Sequence, residues 1–238
     1  MGALTDLLEV QEHDSAIDRL RARREKLPER QQLTERTAEV GVIEAQLAEV
    51  RAKRDEALRE ERQLDDNVSA LDTRVAEVEE ELFSGRTSSP RELQAMQADL
   101  EQLRRQRSGL EDQELDVMER REGLDGEIAQ FDEKLAAARA GIAELESAIA
   151  ALEAEIDAEL AAQQQARDAA AAKVPADLLS TYDDIRARSG GVGAALLSGG
   201  SCMGCHLALP SMEVDRIKKL PADEPARCEQ CGAILVRP

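Results

Sequence analysis

Residues 33–82, LTERTAEVGVIEAQLAEVRAKRDEALREERQLDDNVSALDTRVAEVEEEL, carry the pattern that decides the fold. Every seventh residue from Leu33 gives Leu33, Val40, Leu47, Arg54, Glu61, Val68, Val75 and Leu82. The series three residues on gives Arg36, Ile43, Val50, Ala57, Leu64, Leu71 and Val78, and 12 of these 15 sites are apolar. A 3.5-residue apolar repeat keeps one stripe of a helix turned toward a partner, so this is the a/d seam of a coiled coil.

The repeat stops at Ser84-Gly-Arg-Thr-Ser-Ser-Pro90, a loop by composition. Ser89-Pro90-Arg91-Glu92 then opens a helix, with Ser at the cap, Pro at the first helical position and Glu three residues after the cap. From Leu93 a second seam runs through Leu100, Arg107, Glu114, Arg121, Ile128, Leu135, Ile142, Ile149 and Ile156. Its companion series is Met96, Leu103, Leu110, Val117, Leu124, Phe131, Ala138, Leu145, Leu152 and Glu159, so 16 of 20 sites are apolar. Two arms of about 80 residues, each roughly 120 Å long if fully helical, joined by a short loop, predict an antiparallel hairpin. Pro28 removes a helical N–H after Leu27, so the first segment is expected to be kinked or separate. The polar seam residues Arg54, Glu61, Arg107, Glu114 and Arg121 fall near one level and predict a mixed-charge layer that sets the register.

Composition agrees with this reading. There is no Trp, one Tyr (Tyr182) and two Phe (Phe83, Phe131), while 34% of the chain is charged and the net charge is −19. Such a chain builds its core from Leu, Ala, Val and Ile in long helices. No apolar stretch approaches the roughly 20 residues of a membrane span. Residues 1–10 carry Asp6 and Glu9 without a basic cluster, unlike a secretory leader, and the expected location is cytoplasmic.

In a reducing compartment four cysteines need an explanation other than disulfides. They form two pairs, Cys202-Met-Gly-Cys205 and Cys228-Glu-Gln-Cys231, separated by 22 residues. Two CxxC turns near this spacing can bring four sulfurs to one tetrahedral ion, which predicts one structural Zn²⁺ held by Cys202, Cys205, Cys228 and Cys231. Four protein ligands leave no open position for water, so the metal is not expected to be catalytic. Gly204 and Gly232 are expected to serve turns that need backbone freedom. His206 follows Cys205 directly, and neighbouring residues rarely reach one ion together, so it is expected beside the metal.

The fold class is therefore mainly α: a long antiparallel coiled-coil hairpin plus a small C-terminal α+β zinc ribbon. The expected boundaries are 1–173 for the hairpin, with its turn near 84–89, 174–191 for a short helix and linker, and 192–238 for the ribbon. Within these, 176–188 is a short helix, 192–197 and 234–236 are strands, and 211–220 is a helix with apolar spacing Met212, Ile217, Leu220.

The tip sequence Ser88-Ser89-Pro90-Arg91-Glu92-Leu93-Gln94-Ala95-Met96-Gln97, together with Cys202-Met-Gly-Cys205-His206 and Cys228-Glu-Gln-Cys231-Gly232-Ala233-Ile234-Leu235, resembles the bacterial C4-type zinc-ribbon proteins with an N-terminal coiled-coil hairpin. The resemblance covers nearly the whole chain. Members often read Cys-Gly-Arg-Ile-Leu-Tyr at the last knuckle, where this chain has Ala233 and Val236 in place of the Arg and Tyr. It implies a non-enzymatic protein of a family labelled as predicted nucleic-acid binders. Some relatives are linked to protein partners, among them an alternative sigma factor and parts of flagellar or type III export.

Charge weighs against the nucleic-acid role. Residues 1–173 carry a net −18, and residues 202–238 are neutral before the metal and its thiolates add −2. A polyanion needs a cationic surface. Only Arg216, Lys218 and Lys219 offer a candidate phosphate-binding patch, and residues 202–238 contain no Phe, Tyr or Trp to stack on a base. The tip loop contributes Arg86, Ser88 and Arg91 without a carboxylate, above Glu77, Glu79, Glu80 and Glu81, and is the candidate partner-binding tip. Transcript-cleavage factors also use a hairpin, but their tips need carboxylates to hold Mg²⁺, where this one has arginines. His13 has no nucleophile near it in sequence, and a capping role accounts for Ser88 and Ser89. The sequence thus predicts a scaffold or adaptor in transcription- or RNA-related work, with a protein partner, no membrane, and a monomeric or dimeric coiled-coil state. The alternative is nucleic-acid binding through the ribbon.

Overall fold

Between Leu33 and Ile156 the buried residues of the long helices are seam positions. The computed structural model describes residues 2–86, 88–221 and 224–237. Its helices are α1 (Ala3–Glu25), α2 (Pro28–Phe83), α3 (Pro90–Ala171), α4 (Ala176–Arg188) and α5 (Ser211–Lys219). The strands are β1 (Ala194–Ser198), β2 (Ser201–Cys202), β3 (Ala226–Arg227) and β4 (Ile234–Val236). Two units are distinct: Leu33–Glu144, and Met1–Gln32 with Leu145–Pro238.

In the first unit α2 and α3 run antiparallel. Val40 and Leu47 bury against Leu135, Ala57 and Leu64 against Val117, and Val75 and Val78 against Leu100, every one of them a seam position. Arginines flank these layers and reach across to the other arm: Arg104 to Glu79, Arg107 to Asp72 (2.8 Å), Arg120 to Glu60, Arg51 to Asp132 (3.0 Å) and Arg139 to Glu44 (2.6 Å). The partners' numbers fall on one arm as they rise on the other, which is the antiparallel register written in charge. Exposed pairs of this kind contribute about 0–1 kcal/mol each, so the apolar layers supply the stability and the ladder discriminates between registers.

The seam charges are arranged differently from the single layer that their spacing suggests. Glu61 meets Arg121 at 3.0 Å, and both are largely covered, at 17% and 27% exposure. Arg54 instead turns to Asp125 (3.6 Å) and Asp55 (3.1 Å), and Arg107 to Asp72 and Glu111. Long side chains at a seam can bend toward flanking carboxylates, so among the described residues only one pair joins seam to seam. Glu114 is half-buried and makes no ion pair among the described residues.

The second unit is built on a mixed four-stranded sheet of order β2-β1-β4-β3, in which β1 and β4 are parallel. One face, through Ala194, Ile234 and Val236, packs on Leu4, Leu7 and Val10 of α1 and on the end of α3. At its centre is Tyr182 of α4, fully buried. Its hydroxyl donates to Asp14 Oδ2 at 2.8 Å, and Asp14 also receives Arg167 (3.3 Å) and Arg186 (3.6 Å). Gln11, one helical turn away, accepts from the Gly193 N–H (2.6 Å) and the Ala194 N–H (3.1 Å), and donates to the Gly191 carbonyl (3.0 Å). A buried amide satisfied on both sides ties the start of β1 to α1. Gly193 has no substitute here, since a Cβ would lie 2.5 Å from the Tyr182 ring.

Two outcomes follow. Glu61→Ala strands the covered Arg121 guanidinium and is expected to lower Tm by about 2–4 °C. The double variant Glu61→Leu/Arg121→Leu is expected to melt at or above the parent, and thermal circular dichroism reads both. Burial, and then its bond to Asp14, push the Tyr182 hydroxyl well above the ordinary tyrosine value. The folded state therefore keeps a proton that the unfolded chain releases near about pH 10. Stability from this group is complete below that pH and is lost as the pH rises past it. Urea titrations at pH 8 and pH 10.5 are expected to show a smaller loss of stability in Tyr182→Phe than in the parent, the variant being about 1–2 kcal/mol less stable at pH 8.

Candidate metal centre

The other face of the sheet carries the four cysteines. Ala195, Leu197 and Leu235 point into it with Ile217 of α5 and Ala226. The two CxxC turns repeat one backbone pattern. The His206 N–H donates to the Cys202 carbonyl (2.7 Å) and the Cys202 N–H to the Leu207 carbonyl (3.0 Å). The Gly232 N–H donates to the Cys228 carbonyl (2.8 Å) and the Cys228 N–H to the Ala233 carbonyl (2.9 Å). The residue after each second cysteine takes a left-handed conformation, with φ 60° at His206 and 77° at Gly232. Gly232 is thus the turn glycine that its place suggests. Gly204 serves otherwise: its φ is not positive, and it is small because a Cβ would sit 2.9 Å from Val192 Cγ1 and 3.0 Å from Ala195 Cβ.

All four sulfurs lie within 4.8 Å of one another. Cys202 and Cys231 are 3.8 Å apart, and Cys205 and Cys228 are 3.9 Å apart. A tetrahedron with zinc–sulfur arms of about 2.3 Å has edges of about 3.8 Å, so the donor set fits one structural Zn²⁺. None of the four is in a disulfide. Without a cation, burial pushes the Cys231 thiol up to about 12 and raises Cys202. Burial works the same way on Cys228, but the N–H groups of Cys231 and Gln230 and the neighbouring thiols outweigh it and leave Cys228 lowered. His206 is exposed and stands beside the cluster.

The ribbon cations are placed by α5 and the C-terminus. Arg216 is bound by Glu213, Nε to Oε2 at 2.8 Å. Lys218 lines a groove of about 580 Å³ with Gly199, Gly200 and Val214. Lys219 is exposed on the last turn of α5. Arg237 caps that helix, donating to the carbonyls of Ile217 (2.8 Å), Leu220 (2.7 Å) and Pro221. Asp223, counted in the ribbon charge, lies outside the described residues, as does Thr87 of the tip loop. Around the tip Arg86, Ser88 and Arg91 are exposed, and so is Phe83, at 82%. The tip and the ribbon patch belong to different units, and each is a separate candidate surface. His13, without a catalytic neighbour in sequence, bonds through Nδ1 to Gln163 Oε1 (2.8 Å). Sequence reasoning missed Gln11 and Asp14, whose polarity on an apolar face was the available signal.

A helical hairpin with a four-cysteine ribbon defines a class of protein, and known proteins place the chain within it. Residues 10–190 match the CT398-like coiled coil hairpin domain and residues 201–235 the C4-type zinc ribbon domain. The chain belongs to the CT398-like coiled-coil hairpin family. The Mycobacterium tuberculosis protein Rv2229c, of strain H37Rv, is 31% identical over 231 residues, covering 97% of this chain and 94% of that protein. A solved structure from Mycobacterium smegmatis is 29% identical with a TM-score of 0.79 and full coverage of both chains. The structure of CT398 from Chlamydia trachomatis, 22% identical with a TM-score of 0.52 over 99% of this chain and 98% of that one, shares the fold. Both matched domains are coiled-coil and zinc-ribbon types, which suit a scaffold or binding role.

Structural zinc contributes ~10–16 kcal/mol to small modules of this kind. Chelation is expected to collapse the amide signals of the ribbon while the far-ultraviolet helical signal of α2 and α3 persists, and Cys231→Ser is expected to do the same without a chelator. Two-dimensional NMR alongside circular dichroism checks both.

Proposed function

We propose that this protein is a non-enzymatic, cytoplasmic zinc-binding scaffold that brings protein partners together in transcription- or RNA-related work. The observation that carries the reading is how the cations are engaged. Along the arms, Arg24, Arg51, Arg54, Arg107, Arg120, Arg121 and Arg139 each face a carboxylate of the opposing helix. In the ribbon, Arg216 is held by Glu213 and Arg237 by backbone carbonyls. Paired arginines release few phosphate counterions, and the remaining surface carries the −19. A surface of that sign repels nucleic acid and steers basic protein surfaces toward it. The process, rather than the partner class, rests on the family resemblance. No described helix is long and apolar enough to cross a membrane.

Fluorescence anisotropy of the zinc-loaded protein with single-stranded RNA, single-stranded DNA and duplex DNA tests the reading. The expected result is no saturable binding at about 50 mM salt, where electrostatic contacts are strong. Tight, salt-sensitive binding abolished by Arg216→Gln/Lys218→Gln/Lys219→Gln would overturn it in favour of a nucleic-acid-binding ribbon.

A further inference from the structure

The chain has three aromatic side chains, and they have three different fates. Tyr182 is fully buried, Phe131 packs in the seam beneath Lys134, and Phe83 stands 82% exposed at the last residue of α2. An exposed Phe in a protein so poor in aromatics is not surplus from a crowded core. Beside it lie two arginines in a stretch that holds no carboxylate to pair with them. Arg86 and Arg91 are exposed and form no ion pair among the described residues, and residues 84–91 contain no Asp or Glu. Short-range bonds tie the chain at residues 84–86, just after Phe83. Ser84 Oγ donates to the Glu81 carbonyl (2.8 Å) and accepts from the Arg86 N–H (3.3 Å), and Gly85 turns the chain at φ 71°.

We propose that the tip docks a protein partner offering an apolar pocket rimmed by carboxylates, with Phe83 as the anchor in the pocket and Arg86 and Arg91 on its acidic rim. This rests on the scaffold reading above and gives the cationic tip a partner of the opposite charge to the basic surfaces that the acidic arms steer. Aromatic and arginine side chains dominate binding energy when they are buried at the centre of an interface, and the tied backbone at residues 84–86 lowers the ordering cost beside Phe83. Charge complementarity selects the partner class. Within two turns of α2 below the tip lie Glu80 and Glu81, neither of them in an ion pair among the described residues, and beside them Glu77 and Glu79, already matched to Arg74 and Arg104. A polyphosphate backbone passing the two arginines would run onto that collar, whereas a compact acidic rim ends before it.

Replacing Phe83 with p-benzoylphenylalanine in the full-length, zinc-loaded protein, in cells that make it naturally, places a photocrosslinker at the anchor, its phenyl ring kept and extended by a benzoyl group. A second version carries the same probe at Met212, exposed in the ribbon. The expected result is a protein adduct at position 83 whose crosslinked segment, read by mass spectrometry, is apolar and flanked by Asp or Glu. Arg86→Glu/Arg91→Glu is expected to lower the adduct yield about thirtyfold, the worth of one hot-spot contact. These positions are exposed, so unchanged circular dichroism and Tm separate lost docking from lost folding. No adduct at position 83, or one insensitive to the charge reversal, overturns the tip proposal; a protein adduct from position 212 alone would leave the scaffold reading standing. RNA or DNA as the crosslinked species at position 83 overturns both.

Discussion

Four thiolates within 4.8 Å of one another cannot coexist without a cation, and the ribbon is arranged around that constraint. The two CxxC turns are copies of one backbone pattern, each closed by hydrogen bonds to the carbonyl of its first cysteine and each ending in a left-handed residue. Two strands of the sheet are only two residues long, and the apolar side chains around the sulfurs are few. So small a layer cannot hold itself together by burial alone, and the metal supplies what the core does not.

The opposite face of the same sheet is secured by different means. There a single tyrosine, a glutamine and an aspartate, with Arg167 and Arg186, form a buried polar network between α1, α4 and the start of β1. Such a network fixes one docking of the sheet, because every alternative leaves Asp14 or the Gly193 N–H unpaired. The long helices solve their own specificity problem with charge: Leu and Val layers favour pairing in general, while the arginine–carboxylate ladder favours one register. The outcome is a protein in which many arginines of the arms are engaged by carboxylates and the net charge is −19.

Much of this was legible in the sequence because periodicity and metal spacing are local signals. The heptads of α2 and α3, the break at Ser84–Pro90 and the four cysteines each announce themselves within a short window. The role of α1 did not, since its apolar residues Leu4, Leu7 and Val10 look like any coiled-coil face, and only tertiary structure pairs them with Tyr182 and the sheet. Gln11 and Asp14 left only their polarity as a signal, and for the same reason it was not enough: a polar residue on an apolar stripe has meaning only once its partners are known. Strands β2 and β3 are too short to leave a pattern. The layer of seam charges resolved into one Glu61–Arg121 pair because side-chain reach, rather than heptad position, chooses the partner.

The ribbon and the tip thus present two kinds of surface, one templated by a metal and one by a tight turn. The account stands first on the metal. X-ray absorption at the zinc edge of the loaded protein measures it directly. Four sulfur neighbours at about 2.3 Å, with one zinc per chain, is the predicted shell. A shell of three sulfurs with a nitrogen, which would bring His206 onto the metal, or an oxygen neighbour marking an open site, would contradict it.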